Sequence, residues 1–150
     1  MVTVRDSLPA RVRLALCLLW AAVLTLLEFL YRGERTMMTD NLFQKIIDRQ
    51  LPAKIIYEDE QCLAFHDVNP QAPVHVLIIP RKVIRTHDDV QPGDEQLLGH
   101  LHVVARTVAA QLGLTSGYRL VLNCLESAGQ TVPHLHLHLL GGRVFAWPPG

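Results

Sequence analysis

The segment His134-Leu135-His136-Leu137-His138-Leu139-Leu140 places an imidazole at every second position. Successive side chains of a β-strand point to opposite faces. The three histidines therefore share one face, and Leu135, Leu137 and Leu139 share the other. The leucine face reads as core. The histidine face aligns three groups that gain or lose a proton near neutral pH. Three readings compete. The plainest is a half-buried strand whose polar face is histidine, the ordinary explanation for a single such residue. A metal site is the second, since neutral imidazole ligates zinc. Same-face neighbours lie about 6.6 Å apart along a strand and the outer pair roughly 13 Å apart. Zinc needs its nitrogens at about 2.0–2.1 Å, so two neighbours can converge on one ion, but three cannot without bending the strand. The third reading is covalent catalysis, in which imidazole attacks a phosphorus or carbonyl centre and water later cleaves the intermediate. His136, in the middle, is then the natural nucleophile, flanked by His134 and His138 as orienting, proton-handling or charge-stabilising groups.

The stretch just upstream, Asn123 to Pro133, is small, polar and rich in turn formers. Gly129 permits close backbone approach. Backbone N–H groups here, with the Thr131 hydroxyl and the Asn123 and Gln130 amides, are able to hold an oxyanion or phosphate, although most such loops are only turns. Further back, Ala64-Phe65-His66-Asp67-Val68-Asn69-Pro70 ends a strand-like run with an acid. Asp67 is suited to accept hydrogen bonds from sugar hydroxyls, or simply to cap a turn.

With these residues in view, the chain resembles the histidine triad (HIT) superfamily. Gly129 to Gly142 carries its His-φ-His-φ-His-φ-φ pattern, and the similarity extends over residues 39–150. Phe43-Gln44-Lys45-Ile46-Ile47, Leu51 to Asp59, Phe65 to Pro73 and the closing Trp147-Pro148-Pro149-Gly150 resemble the HINT branch of nucleotide-binding phosphoramidases. The resemblance implies an α+β fold, a five-stranded antiparallel sheet with two helices, continued across a homodimer. It implies that His136 becomes adenylylated, with His134, His138 and His75 around it. Asp67 would bind the ribose hydroxyls. Asn123, Gly129, Gln130, Thr131 and Val132 would hold the phosphate, and Leu42, Phe43, Ile46, Phe65, His66 and Val68 would enclose the purine. No cofactor and no metal is needed by that scheme. A dinucleoside polyphosphate hydrolase and a nucleotide-binding regulatory module are the alternatives.

The chain departs from relatives at several positions. Thr131 stands where serine is frequent, Pro133 where an aromatic residue is frequent, and Val83 where a histidine is common. Asn41 and Gln44 occupy the positions of a Cys-x-x-Cys zinc pair found in some bacterial relatives, which argues against a structural zinc.

At 150 residues the chain suits one domain with a sizeable core. Fourteen basic and fourteen acidic residues leave no basic footprint for nucleic acid. Residues 1–36 hold five Arg against three acids, whereas residues 37–150 hold nine basic against eleven acidic groups. Phosphate recognition must therefore come from local donors. Cys17, Cys62 and Cys124 are odd in number and scattered, the pattern of free thiols in a reducing compartment. This is consistent with a cytoplasmic location.

Residues 1–38 form a hydrophobic extension ahead of a domain over 39–150. Leu14 to Leu27 is apolar except for Thr25, with Arg5, Arg11 and Arg13 before it. It resembles a signal-peptide core, but no small-x-small cleavage site follows. Extending it to Tyr31 towards the roughly 20 residues of a membrane span takes in Glu28, which is costly in lipid. The readings are translation starting at Met37 or Met38, a short membrane anchor that acts only if residues 1–36 are expressed, and a cleaved signal.

Within the domain the pattern predicts a helix over Leu42–Arg49, strands over Lys54–Glu58, Cys62–Phe65, Val74–Ile79, Tyr118–Leu122 and His134–Leu140, and a long helix capped by Asp94. Leu97, Leu101, Val104, Val108 and Leu112 give that helix one apolar stripe, and Gly113 stops it. His100 and His102, on the same helix, are expected at a surface or interface.

Overall fold

The computed structural model describes Trp20, Val23, Leu24 and residues 41–149. The chain divides into two units, Met1–Thr39 and Asp40–Gly150. Apart from Trp20, Val23 and Leu24, which are helical and exposed, the N-terminal extension lies outside the described residues. No helix among those described is long and apolar enough to cross a membrane.

The second unit is built on a five-stranded antiparallel sheet. Its strands are β1 (Ile55–Glu58), β2 (Cys62–His66), β3 (Val74–Pro80), β4 (Tyr118–Val121) and β5 (Leu137–Gly141), in the spatial order β1-β2-β3-β5-β4. Strands β2 and β3 are apolar on both faces because both faces are covered. On one face Ala64, Val76, Ile78, Leu135, Leu137 and Leu139 pack against Leu101, Val104, Ala105, Val108 and Ala109 of the long helix α2 (Glu95–Gln111). On the other, Leu63, Phe65, Leu77 and Ile79 pack against Phe43 and Ile46 of α1 (Leu42–Ile47). The two sets alternate along β2 and β3, as a period-2 strand demands.

Helix α1 has only six residues, too few to persist alone. It is held by burial of Phe43 and Ile46 and by its N-cap, Asn41, whose side-chain oxygen accepts from the N–H groups of Phe43 (3.0 Å) and Gln44 (3.4 Å). It ends two residues before the expected Arg49, which adopts a left-handed φ of 61°. The α2 stripe falls where the sequence places it, with Leu97 and Leu112 at its half-buried ends, and Gly113 closes it at φ +70°. Asp94 stands at the N-cap position but makes no capping bond; its carboxylate instead accepts from Gln91 N–H and Lys82.

The histidine-bearing strand differs from expectation. Its ladder begins at Leu137, not His134. In the antiparallel register the residue facing Leu135 would be Pro80, which has no N–H to give. Leu135 N–H turns instead to the carbonyl of Ile84 at 2.6 Å, and the Pro80 carbonyl goes to His134. The inward–outward alternation survives without the ladder, so all three leucines still enter the α2 core.

Candidate functional site

Four histidines gather on the α1 side of the sheet. His138 pairs across the ladder with Leu77, and His75 lies diagonally from it one step along β3, a spacing at which long side chains meet. Their rings stand 5.2 Å apart. His136 and His138 are 4.8 Å apart, and the edge of Phe43 packs against His136 at 5.2 Å. All four imidazoles are held below their ordinary pKa. For each the main cause is burial, which penalises the cation. His138 is pushed down to about 4, with the neighbouring His136 and His75 adding to the effect. Asp67 partly offsets burial at His75 and His136.

Neutral imidazoles carry one N–H and one lone pair each, and the partners assign which nitrogen is which. His134 receives the Asn41 amide on Nδ1 (2.8 Å) and donates Nε2–H to the Pro80 carbonyl (2.8 Å). His136 donates Nδ1–H to the His134 carbonyl (2.7 Å), which leaves the lone pair on Nε2, a nitrogen without a hydrogen-bond partner among the described residues. His75 accepts the Gln71 N–H on Nδ1 (3.2 Å) and donates Nε2–H to Nδ1 of His138 (2.9 Å). The proton of His138 is then on Nε2, which is buried and has no partner among the described residues. The site thus presents one nucleophilic lone pair and one unmet donor on adjacent rings. A buried N–H of this kind is a donor suited to an incoming acceptor.

Asp67 stands beside this relay. One carboxylate oxygen accepts from Asn69 N–H (2.8 Å), and the other is 3.5 Å from His75 Nε2. The expected base-enclosing residues divide. Phe43, Ile46 and Phe65 are core, His66 is half-buried, and Leu42 and Val68 are exposed, Val68 at 98%.

The loop before the triad narrows the expected phosphate donors. Gln130 has none left. Its N–H goes to the Leu125 carbonyl, its amide NH2 to the carbonyls of Arg85 (2.6 Å) and Val132 (3.0 Å), and its amide oxygen accepts Leu125 N–H (2.9 Å). Gly129 N–H is also taken, by the Glu126 carbonyl. The role expected of Gln130 as a phosphate ligand therefore becomes one of holding the loop. Gly129 keeps its conformational role, at φ +90°, and a Cβ there would stand 3.7 Å from the Asn123 amide nitrogen. The amides of Thr131 and Val132, the Thr131 hydroxyl and the Asn123 amide make no hydrogen bond among the described residues, and they are the expected donors that remain.

Two clusters bring three ligand-type atoms within 4.8 Å of one another, Asp67–His75–His138 and Asp59–Cys62–His100. In the first, the His75–His138 hydrogen bond already uses both histidine atoms. In the second, burial works against ionisation of Asp59, but hydrogen bonds from Gln61 N–H, His100, Cys62 N–H and Tyr57 hold its carboxyl well below the usual range. That network ties α2 to the β1–β2 turn and makes His100 a structural link; His102 is exposed. Cys62 is buried and Cys124 half-buried, both as free thiols. A cavity of about 550 Å³ lies elsewhere, lined by residues that include Leu114, Tyr118, Arg143 and Phe145, and none of the histidines.

The HIT domain family matches residues 48–145 of the chain. An uncharacterized HIT-like protein of Synechocystis is 58% identical over 114 residues, 76% of this chain and all of the relative. The crystal structure of a HIT family hydrolase from Legionella pneumophila superposes with a TM-score of 0.73 at 49% identity, covering 74% of this chain and all of that one. A histidine triad nucleotide-binding protein from Candida albicans superposes at 0.63 with 27% identity, over 74% and 85% of the two chains. The chain belongs to the HIT domain family, and all four histidines of the site lie within the matched residues.

Proposed function

We propose that the protein is a purine nucleoside phosphoramidase, a hydrolase of P–N bonds that releases AMP from adenosine 5′-phosphoramidates. The observation that carries this reading is the His136 tautomer. With Nδ1–H tied to the His134 carbonyl, Nε2 keeps its lone pair for attack on the α-phosphorus. The attack forms an Nε2–P bond and breaks the bond from phosphorus to the amine. It leaves the imidazole of His136 cationic, and the His134 carbonyl stabilises that charge more than it stabilised the neutral ring, which is the differential that lowers a barrier. His138 Nε2–H meets a phosphoryl oxygen. The departing nitrogen needs a proton, because an amide anion is a very poor leaving group; the hydroxyl of Thr131, an exposed residue of the loop, passes one to it and takes one from water, so that no alkoxide is left. Water then cleaves the nucleotidyl-histidine and restores the ring.

The names of the relatives, a hydrolase and a nucleotide-binding protein, support the class, and the Trp-Pro-Pro-Gly ending supports the branch. The same reading includes a homodimer joined through β4. That strand is at the edge of the sheet, with its outer side unpaired among the described residues, and Tyr118, Val103, Val144 and Trp147 expose apolar surface. Asp67, His66 and Val68 receive the nucleoside, with the buried Phe43 ring backing the site.

Quenched-flow mass spectrometry tests the chemistry. On an adenosine 5′-phosphoramidate the adenylyl group should appear on the peptide bearing His136, and His136→Ala should slow single turnover on the order of 10³-fold. A label on Cys124 removes the assignment. Faster turnover of a diadenosine polyphosphate makes the enzyme an anhydride hydrolase, and nucleotide binding with no turnover of either substrate makes it a binding module. Sizing at micromolar concentration tests the dimer.

A further inference from the structure

The residue before α1 does two jobs. Asn41 is buried, at 3% exposure. Its oxygen accepts from Phe43 N–H and Gln44 N–H, and this fixes the amide orientation, so that the NH2 group points at His134 Nδ1 at 2.8 Å across 93 residues of sequence. Serine, threonine or aspartate would cap the helix equally well. Of the good caps, only asparagine also carries a donor at that reach. The donor matters because His134 is gripped at both nitrogens. Nε2–H is committed to the Pro80 carbonyl, and the Asn41 amide has no lone pair to offer a protonated Nδ1. His134 is thereby kept neutral with its ring fixed, and its own carbonyl is the acceptor that holds His136 Nδ1–H.

Resting on the nucleophilic role assigned to His136, we infer that Asn41 is a positioning residue for catalysis: it sets the His134 tautomer and, through the His134 carbonyl, the aim of His136. The groups facing His134 are the Asn41 amide from the start of α1, the Phe43 ring from α1, the Pro80 carbonyl from β3, and His136 from its own segment. Of these only His136 titrates, and its charge is felt at His134. The same residue joins the helix that bears Phe43 to the nucleophile. The Phe43 ring touches both His134, at 6.0 Å, and His136, at 5.2 Å.

Asn41→Asp tests this with the cap kept. Aspartate has the same shape but can only accept, so Nδ1 must carry a proton while Pro80 still claims Nε2–H. Two-bond ¹H–¹⁵N spectra of the full-length, ¹⁵N-histidine-labelled protein should show His134 protonated at Nε2 alone in the wild type. In Asn41→Asp it should be protonated at both nitrogens between pH 6 and 8. Asn41→Ser keeps the cap but is too short to reach His134. It should lower kcat on an adenosine 5′-phosphoramidate about tenfold with KM within twofold of wild type, as expected for one lost positioning hydrogen bond. A His134 in Asn41→Asp that stays singly protonated at Nε2, or an Asn41→Ser enzyme with wild-type kcat and an unaltered His134 spectrum, would reduce Asn41 to a helix cap and overturn the inference. If the wild type turns over no phosphoramidate, the functional reading falls while the nitrogen spectra still decide the tautomer.

Discussion

Gln130 is the side chain on which the loop before the triad depends. It is 9% exposed, and its amide makes three hydrogen bonds to backbone groups of Leu125, Arg85 and Val132. One of these holds Leu125 at φ 68°, ψ 171°, a region that is essentially glycine's own and costs a residue with a Cβ about 1–3 kcal/mol. Gln130→Met preserves length and apolar bulk and removes all three bonds. At about 0.5–1.5 kcal/mol net per bond, the loss of three bonds amounts to roughly 1.5–4.5 kcal/mol. Two effects reduce it. Residues 125–129 are exposed, so water reaches some of the freed groups, and Leu125 relaxes from its strained conformation. About 2 kcal/mol should remain, which for a domain of this size lowers Tm by roughly 10 °C. Activity should suffer more than stability, because Thr131 and Val132 lose the anchor that aims their amides. Thermal unfolding and kcat/KM on a phosphoramidate measure both, and Leu125→Gly is the control. It should relieve the strain and raise stability by about 1 kcal/mol with the Gln130 bonds in place. A Gln130→Met protein with wild-type Tm and wild-type kcat/KM would refute the claim that this amide organises the loop.

The pH dependence of stability follows from the four site histidines, of which His75, His134 and His136 are buried and His138 half-buried. Their folded-state pKa values lie below the ordinary 6.5, so below that pH the unfolded chain binds more protons than the folded one, and stability falls with falling pH. The contribution is fully present above pH 6.5 and is lost on the way down to about 4, the value for His138; that residue alone accounts for about 3 kcal/mol. Chemical denaturation at pH 7 and pH 4.5 should show the loss, and equal free energies at the two pH values would mean that these rings are hydrated. Thr131→Val keeps shape and removes the hydroxyl proposed to serve the leaving group. It should reduce kcat/KM roughly 5- to 150-fold, corresponding to about 1–3 kcal/mol, and an unchanged rate would make the hydroxyl a spectator.

Periodicity carried much of this structure in plain sight. The α2 stripe and its Gly113 stop, the hairpin around Asp59 and the leucine-in, histidine-out alternation all depend on neighbours within a few residues, where sequence pattern and geometry coincide. The late start of β5 did not show, because it depends on which residue of another strand stands opposite Leu135. That residue is Pro80, whose missing N–H ends the ladder. The commitments of Gln130 were hidden for a similar reason: the Arg85 carbonyl that claims it lies 45 residues away, and glutamine beside glycine in a polar loop reads as an available donor. Asn41 was visible only as a residue that is not cysteine. An asparagine just before a short apolar helix is a cap signal in itself, but no local pattern announces that its other half reaches His134.

The chemistry of the site comes less from three histidines sharing a face than from the backbone and amide groups that remove their freedom. Three exposed imidazoles in a row would each exchange tautomers and, near pH 6.5, carry charge part of the time. Here burial suppresses the charge, and fixed partners choose the tautomers from both sides. From one side, Gln71 N–H sets His75, which sets His138 and turns its remaining proton towards the site. From the other, Asn41 and the Pro80 carbonyl set His134, whose carbonyl holds His136 Nδ1–H and so leaves the lone pair on Nε2. The two chains of hydrogen bonds end on neighbouring rings whose centroids are 4.8 Å apart. A phosphoryl group is electrophilic at phosphorus and anionic at oxygen, and so answers the lone pair and the N–H together. Burial that merely hid the histidines would have left both unused.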